Sequence, residues 1–141
     1  MAPLSLISKV ALLTLACLGV GLALFQTAAR VGAGEPGDGG RRLRHVVLFK
    51  FKDASTPADV ERIVAAFRAL PTQIKEIAGF EWGTDISPEG LAGGFTHCFL
   101  VTFATAADRD AYLPHPAHKA FVDLVGPHVD KVCVVDYWTQ D

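Results

Sequence analysis

The sequence predicts an α+β domain, because strand-like and helix-like stretches alternate after residue 44. Runs of β-branched and aromatic residues mark four strands, and apolar residues at helical spacing mark two helices. Their order is β-α-β-β-α-β, the split βαβ arrangement of the ferredoxin-like fold, with a four-stranded antiparallel sheet. The 141 residues suffice for one such domain and a short N-terminal appendage.

The first strand and the first helix have clear sequence signals. Arg44 to Lys52 alternates between two largely apolar faces and predicts a strand. Thr56 can cap a helix, and Pro57 suits its first position. An apolar face then runs to Leu70, and Pro71 ends the helix.

Two further strands are joined by a loop. Phe80 to Ile86 alternates in the manner of a half-buried strand, and Ser87 to Gly94 contains the proline and glycines of a connection. Phe95 to Phe103 has the strongest strand pattern in the chain.

Prolines interrupt the second helical region. A capped helix is predicted from Thr105 to Tyr112, followed by a turn with two prolines. A helix resumes over Ala117 to Val125 until a Gly-Pro pair stops it. Lys131 to Trp138 is the predicted last strand.

The predicted sheet has two apolar faces, and two helices can cover only one of them. In a monomer Val46, Leu48 and Leu100 would face water. A second copy packed sheet against sheet would cover them, so we expect a homodimer with a shared core, a dimeric α/β barrel. In the usual strand order Cys98 and Cys133 would lie about 9.5 Å apart, beyond disulfide reach, and free thiols are expected.

The N-terminal region predicts targeting. Val10 to Phe25 is an apolar run preceded by Lys9 and followed by small residues, the layout of a signal peptide over residues 1–29. Extended toward Leu4, the run approaches the ~20 residues of a membrane anchor. Lipid attachment at Cys17 is a third interpretation. The protein is therefore expected to be exported or membrane-anchored.

The residues after the apolar run leave its orientation open. Several arginines follow it, and positive charge tends to stay on the cytoplasmic side, so an anchor with a cytoplasmic-facing domain is compatible with the sequence. Residues 30–44 include five glycines and predict a flexible linker. The domain itself is expected over residues 45–141.

The charge of the predicted domain excludes one class of partner. From residue 45 onward eight Lys and Arg stand against thirteen Asp and Glu, a formal charge of −5. Nucleic acids require a positive surface, so no nucleic-acid partner is expected. Membrane contact is expected only through an uncleaved N-terminal segment.

The stretch from Tyr112 to Phe121 brings a phenol and two imidazoles to the start of an apolar helix. A neutral imidazole can remove a proton near pH 7, and a phenol can donate a hydrogen bond. His115 and His118 also have the spacing of a metal pair, but zinc sites need three or four ligands and no third is evident. The sequence contains no phosphate-binding glycine motif, and neither a metal nor another cofactor is expected.

The combined pattern from His45 to Trp138 resembles the stress-responsive dimeric α/β-barrel domain family, abbreviated Dabb. The matching stretches are His45-Val46-Val47-Leu48-Phe49-Lys50-Phe51-Lys52, Thr96-His97, Tyr112 with His115-Pro116-Ala117-His118, Phe121-Val122 and Val134-Val135-Asp136-Tyr137. The resemblance implies a homodimer, and most members have no assigned reaction. One plant member closes a linear polyketide by aldol condensation without metal or cofactor.

The resemblance to that plant enzyme also implies roles for single residues. His118 takes the place of its general base, Asp136 that of the carboxylate orienting the base, and Tyr112 that of a phenol beside the pocket. The first helix lacks the tyrosine that the enzyme places in its pocket, so the pocket shape is expected to differ. The remaining expected ligand contacts are His45, His97, Phe49 and Ile63.

Three functions are compatible with the sequence. The first is a homodimer of unassigned activity that binds a small apolar molecule in a pocket between sheet and helices. The second is a cofactor-free enzyme, polyketide cyclase-like or monooxygenase-like, with His118 as general base. The third is a structural or stress-protective dimer. A purely structural role is the alternative for each candidate side chain.

Overall fold

The computed structural model describes residues 40–140. The predicted signal peptide or anchor, Cys17 and most of the predicted linker lie outside these residues, so the expected location of the protein stays a prediction. Within the described range, no helix combines the length and the apolar character needed to cross a membrane.

A four-stranded antiparallel sheet packs against three helices. The strand order is β2-β3-β1-β4, and all neighbouring pairs are antiparallel. This confirms the predicted ferredoxin-like fold, including the place of strand 1 between strands 3 and 4. The elements are β1 (Leu43–Phe51), α1 (Pro57–Ala69), β2 (Ile77–Thr84), β3 (His97–Phe103), α2 (Ala106–Tyr112), α3 (Pro116–Val125) and β4 (Val129–Trp138).

The boundaries of the strands differ slightly from the prediction. β1 begins at Leu43, inside the predicted linker, because the Leu43 side chain is buried and its backbone lies opposite Phe103 and Trp138. β2 begins at Ile77, three residues before the predicted start. Leu43 and Arg44, which the sequence assigns to the linker, therefore belong to the sheet.

Capping boxes define where α1 and α2 begin. The Thr56 hydroxyl accepts a hydrogen bond from the backbone N–H of Asp59, and the Asp59 carboxylate accepts one from the backbone N–H of Thr56. Thr105 and Asp108 repeat the arrangement at α2. Both helix starts lie where the sequence predicts them.

Aromatic rings form the core between sheet and helices. The Phe67 ring of α1 lies at the centre, with its centroid 4.5 Å from that of Phe99 on β3 and 4.4 Å from that of Phe121 on α3. All three side chains are buried. Burial alternates along β1, so its odd-numbered residues from Leu43 to Phe49 face this core, as the strand pattern predicts.

The other face of the sheet is apolar and uncovered. Leu48 of β1 lies between Cys98 of β3 and Cys133 of β4 in the sheet register. The neighbouring row contains Val46 with Leu100 and Val135, the last of them half exposed. Two strand spacings separate the cysteines, and both are free thiols as predicted.

Candidate functional site

A cavity of about 330 Å³ lies between the helices and the β1 and β4 side of the sheet. This volume is at the small end of the range of about 300–1,000 Å³ that is typical of ligand pockets. Three of the lining residues are polar, namely His45, Tyr112 and His118. The apolar lining consists of Val47, Phe49, Phe67, Leu113, Phe121, Val122, Val125, Gly126, Val129, Val132 and Val134.

The cavity opens toward solvent along α3 and the edge strand β4. Residues of its lining that remain 43–51% exposed mark this opening: Leu113, Val122, Val132 and Val134. Apolar side chains left half exposed around a concave site are typical of a ligand entrance. A small molecule can therefore reach the interior without unfolding of the helices.

Tyr112 ends α2 and is fully buried at the cavity wall. Its ring centroid lies 4.2 Å from that of His118 and 5.8 Å from that of His45. Within residues 40–140 the hydroxyl has no hydrogen-bond partner, although buried tyrosines usually find one. Burial raises the pKa of Tyr112, so the hydroxyl stays protonated and retains its O–H donor.

The turn between α2 and α3 orients His118. Pro116 occupies the first position of α3, and Nδ1 of His115 caps the helix by accepting the backbone N–H of Ala117 at 3.2 Å. Nδ1 of His118 lies 2.9 Å from the carbonyl oxygen of Leu113 and must be the donor in this contact. His115 therefore has a structural role, while His118 is held in one tautomer.

The neutral His118 ring is a potential base. With the proton on Nδ1, the lone pair of Nε2 is available. Burial lowers the pKa of His118 and outweighs the opposite effect of the hydrogen bond to Leu113. A neutral imidazole beside a cavity can accept a hydrogen bond or remove a proton from a bound molecule.

His45 is held by charged groups. Its Nδ1 lies 2.6 Å from Oδ1 of Asp136, and Oδ2 of Asp136 accepts a hydrogen bond from Nη1 of Arg109. His45 and Asp136 face each other in the register of β1 and β4, so the sheet itself brings them together. The expected contact between Asp136 and His118 is therefore not the one that forms.

Arg109 is a charged residue beside the site that the sequence does not predict there. It lies on α2 three residues before Tyr112, and residues at this spacing share a helix face. Helical spacing could therefore have indicated an arginine near the phenol. Its pairing with Asp136 depends on the tertiary structure, which no local pattern specifies.

Of the other four predicted ligand contacts, two line the cavity and two do not. Phe49 and His45 line the cavity, whereas His97 and Ile63 do not. His97 lies opposite Phe49 in the register of β1 and β3, and thus toward the far end of the sheet from His45. Its ring packs 5.2 Å from that of Phe51, and Ile63 is fully buried on α1.

The described residues contain no group of three or more His, Cys, Asp or Glu side chains placed to hold a metal ion. The Nδ1 atoms of His115 and His118 both bond the backbone. The expectation that no cofactor is needed stays a prediction.

The strand order defines a ferredoxin-like domain. Between its sheet and helices lies a cavity of ligand size, whose polar lining residues are His45, Tyr112 and His118. Residues 43–139 match the model of the family described as the stress responsive A/B barrel domain. The chain belongs to this family, as its sequence resemblance predicts.

Two curated relatives cover the same domain. A stress-response A/B barrel domain-containing protein, HS1 of Arabidopsis thaliana, is 37% identical over 95 residues, which are 67% of this chain and 87% of the relative. Olivetolic acid cyclase of Cannabis sativa is 30% identical over 95 residues, which are 67% of this chain and 94% of the cyclase.

Solved structures show the same architecture. The hydroxynitrile lyase from Passiflora edulis aligns with a TM-score of 0.69 and 28% identity, covering 72% of this chain and 96% of the lyase. A dimeric ferredoxin-like protein of unknown function from Thermobifida fusca aligns with a TM-score of 0.62 and 27% identity, covering 71% of this chain and 92% of its own.

We predict that acid destabilises the protein partly through His118. In the unfolded chain the imidazole has a pKa of about 6.5, and burial lowers the pKa in the folded state. The unfolded state thus binds the proton first, and the free energy of unfolding falls as the pH drops below about 6.5. Urea unfolding between about pH 7 and pH 5 should show a smaller decrease in His118→Gln than in the wild type.

His97→Gln is a second test of the same effect at another buried histidine. Burial lowers the pKa of His97 as well, so this variant should also show a smaller decrease in the free energy of unfolding. An unchanged decrease in His118→Gln would contradict the buried, neutral state of His118.

Proposed function

We propose that the protein is a homodimer that binds a small, mostly apolar molecule carrying a polar oxygen. One observation carries the proposal: the buried hydroxyl of Tyr112 has no partner within the described residues, and the Tyr112 side chain lines an apolar cavity. An unpaired buried polar group costs about 1–3 kcal/mol. A ligand that accepts a hydrogen bond from this hydroxyl would recover that free energy. In a purely structural interior the unpaired hydroxyl would only destabilise the fold.

The polar groups of the cavity complement an oxygen-containing ligand. Tyr112 offers a donor, and Nε2 of the neutral His118 ring offers an acceptor. The rest of the lining is apolar, so the body of the ligand is expected to be hydrocarbon. A few hydrogen-bonding side chains in an otherwise apolar pocket fix the orientation of a bound molecule.

The names of two family relatives support a small-molecule site. Olivetolic acid cyclase and hydroxynitrile lyase are both named as enzymes of small organic compounds. We therefore favour a ligand-binding role over the structural or stress-protective alternative. Neither relative's substrate is assigned to this protein.

The homodimer follows from the uncovered face of the sheet. Val46, Leu48 and Leu100 form an apolar surface there, in register with Cys133 and Val135 of β4. A second copy packed on this face would remove it from water. The relative from Thermobifida fusca is described as dimeric, which supports the same arrangement here.

Acid–base catalysis is the second candidate function. It is favoured by the fixed tautomer of His118, whose Nδ1 donates to the Leu113 carbonyl and whose Nε2 is free to take a proton. If the bound molecule is a carbonyl compound, Tyr112 could stabilise the enolate formed when His118 removes a neighbouring C–H proton.

The dimer is tested by placing a charge on the uncovered face. We expect the wild type to sediment as a dimer at micromolar concentration and Leu48→Glu to sediment as a monomer, because a buried unpaired carboxylate would oppose association. Leu91→Glu is the matched control, since Leu91 is 80% exposed in the loop between β2 and β3 and should leave the dimer intact. A monomeric wild type would rule out the proposed assembly.

Ligand recognition is tested with a pair of ring compounds of nearly equal shape. Indan-2-one has a carbonyl group where indane has a methylene group, and both are small and apolar. NMR titration should show that the wild type binds the ketone more tightly, and that Tyr112→Phe reduces this preference roughly two- to tenfold, the value of one neutral hydrogen bond. Equal preference in the wild type and Tyr112→Phe would contradict the proposed role of the hydroxyl.

Catalysis is tested with the same ketone in D₂O. If His118 acts as a base, the protein should accelerate deuterium incorporation at the carbon atoms beside the carbonyl, as followed by proton NMR. His118→Gln should lose most of this acceleration while still binding the ketone. Equal rates with and without the wild-type protein would reject catalysis and leave the binding role in place.

A further inference from the structure

Another cavity, of about 320 Å³, lies between α1 and the β2 and β3 side of the sheet. It shares no lining residue with the cavity that contains Tyr112 and His118. Its walls, which define the α1–β2 cleft, consist of Val60, Glu61, Val64, Ala65 and Arg68 of α1, Trp82 and Thr84 of β2, and His97 of β3. A molecule bound in this cleft would therefore occupy a separate site.

Trp82 forms the aromatic wall of the α1–β2 cleft. The ring of Trp82 packs against that of the buried Phe99 at a centroid distance of 6.2 Å, yet Trp82 remains 42% exposed. Val64 and Ala65 line the cleft from the helix side. An aromatic ring bound between α1 and β2 would cover the exposed part of Trp82, and burial of this apolar surface would favour binding.

The two charges of the cleft are separated along α1. The guanidinium carbon of Arg68 lies 5.6 Å from the centroid of the Trp82 ring, and no carboxylate within the described residues pairs with Arg68. Glu61 lies two turns earlier on the helix, about 10 Å away along its axis. His97 adds no positive charge near pH 7, because burial lowers the pKa of its imidazole. An anionic group is therefore attracted to the Arg68 end of the cleft and repelled from the Glu61 end.

We propose that the α1–β2 cleft binds an aromatic carboxylate, with the aromatic ring against Trp82 and the carboxylate on the guanidinium group of Arg68. Two N–H groups of a guanidinium can donate to the two oxygens of one carboxylate. The apolar walls between the two charges accommodate the ring. This site goes beyond the proposed function and does not depend on it.

The test is an NMR titration of the full-length protein with benzoate and with benzyl alcohol, a neutral compound of similar shape. Benzoate should bind more tightly than the alcohol and shift the indole N–H resonance of Trp82, which Trp82→Phe assigns. Arg68→Gln should weaken benzoate binding about two- to fivefold, the range of an exposed ion pair, and leave binding of the alcohol unchanged. Glu61→Gln should strengthen benzoate binding, because it removes a repulsive charge.

Arg62→Gln is the matched control. Arg62 lies on the same helix but outside the cleft, where it pairs with Asp59 at 2.9 Å, so this variant should bind benzoate nearly as the wild type does. Equal benzoate affinity in Arg68→Gln and the wild type, an equal loss in Arg62→Gln and Arg68→Gln, or no shift of the Trp82 resonance would overturn the proposal. Trp82 does not line the other cavity, so failure of the indan-2-one experiment would leave this result standing.

Discussion

The register of strand β1 determines both the polar part of the cavity wall and the composition of the uncovered face of the sheet. Its antiparallel pairing with β4 sets His45 opposite Asp136, and its pairing with β3 sets His45 opposite Val101. Because side chains alternate along a strand, the same register sends Leu48 to the uncovered face. A shift by one residue would exchange these faces and turn His45 away from the cavity.

The lining of the cavity is largely apolar but includes groups that need hydrogen-bond partners. Apolar side chains surround it, yet three groups capable of hydrogen bonding lie in its wall. Backbone and carboxylate partners satisfy Nδ1 of His118 and Nδ1 of His45, so contacts within the chain orient both rings. The Tyr112 hydroxyl is left without such a partner. Orientation by neighbours together with one unsatisfied donor is what a preorganised binding site requires.

The sequence was sufficient for the fold because its signals are local. Alternation along β1 and β3, the caps at Thr56 and Thr105, and the proline turn before α3 depend on neighbours in the chain. The site was predicted only in part, since its contacts join residues far apart in sequence. The family resemblance places Asp136 beside His118, whereas the pairing of β1 with β4 places it beside His45.

The most direct test of a ligand site in this cavity is a crystal structure of the protein soaked with indan-2-one. The expected result is the ketone in the cavity between α3 and β4, with its oxygen within hydrogen-bond distance of the Tyr112 hydroxyl. A cavity filled by rearranged side chains, or a ketone bound only elsewhere, would contradict the proposal that this cavity is the binding site.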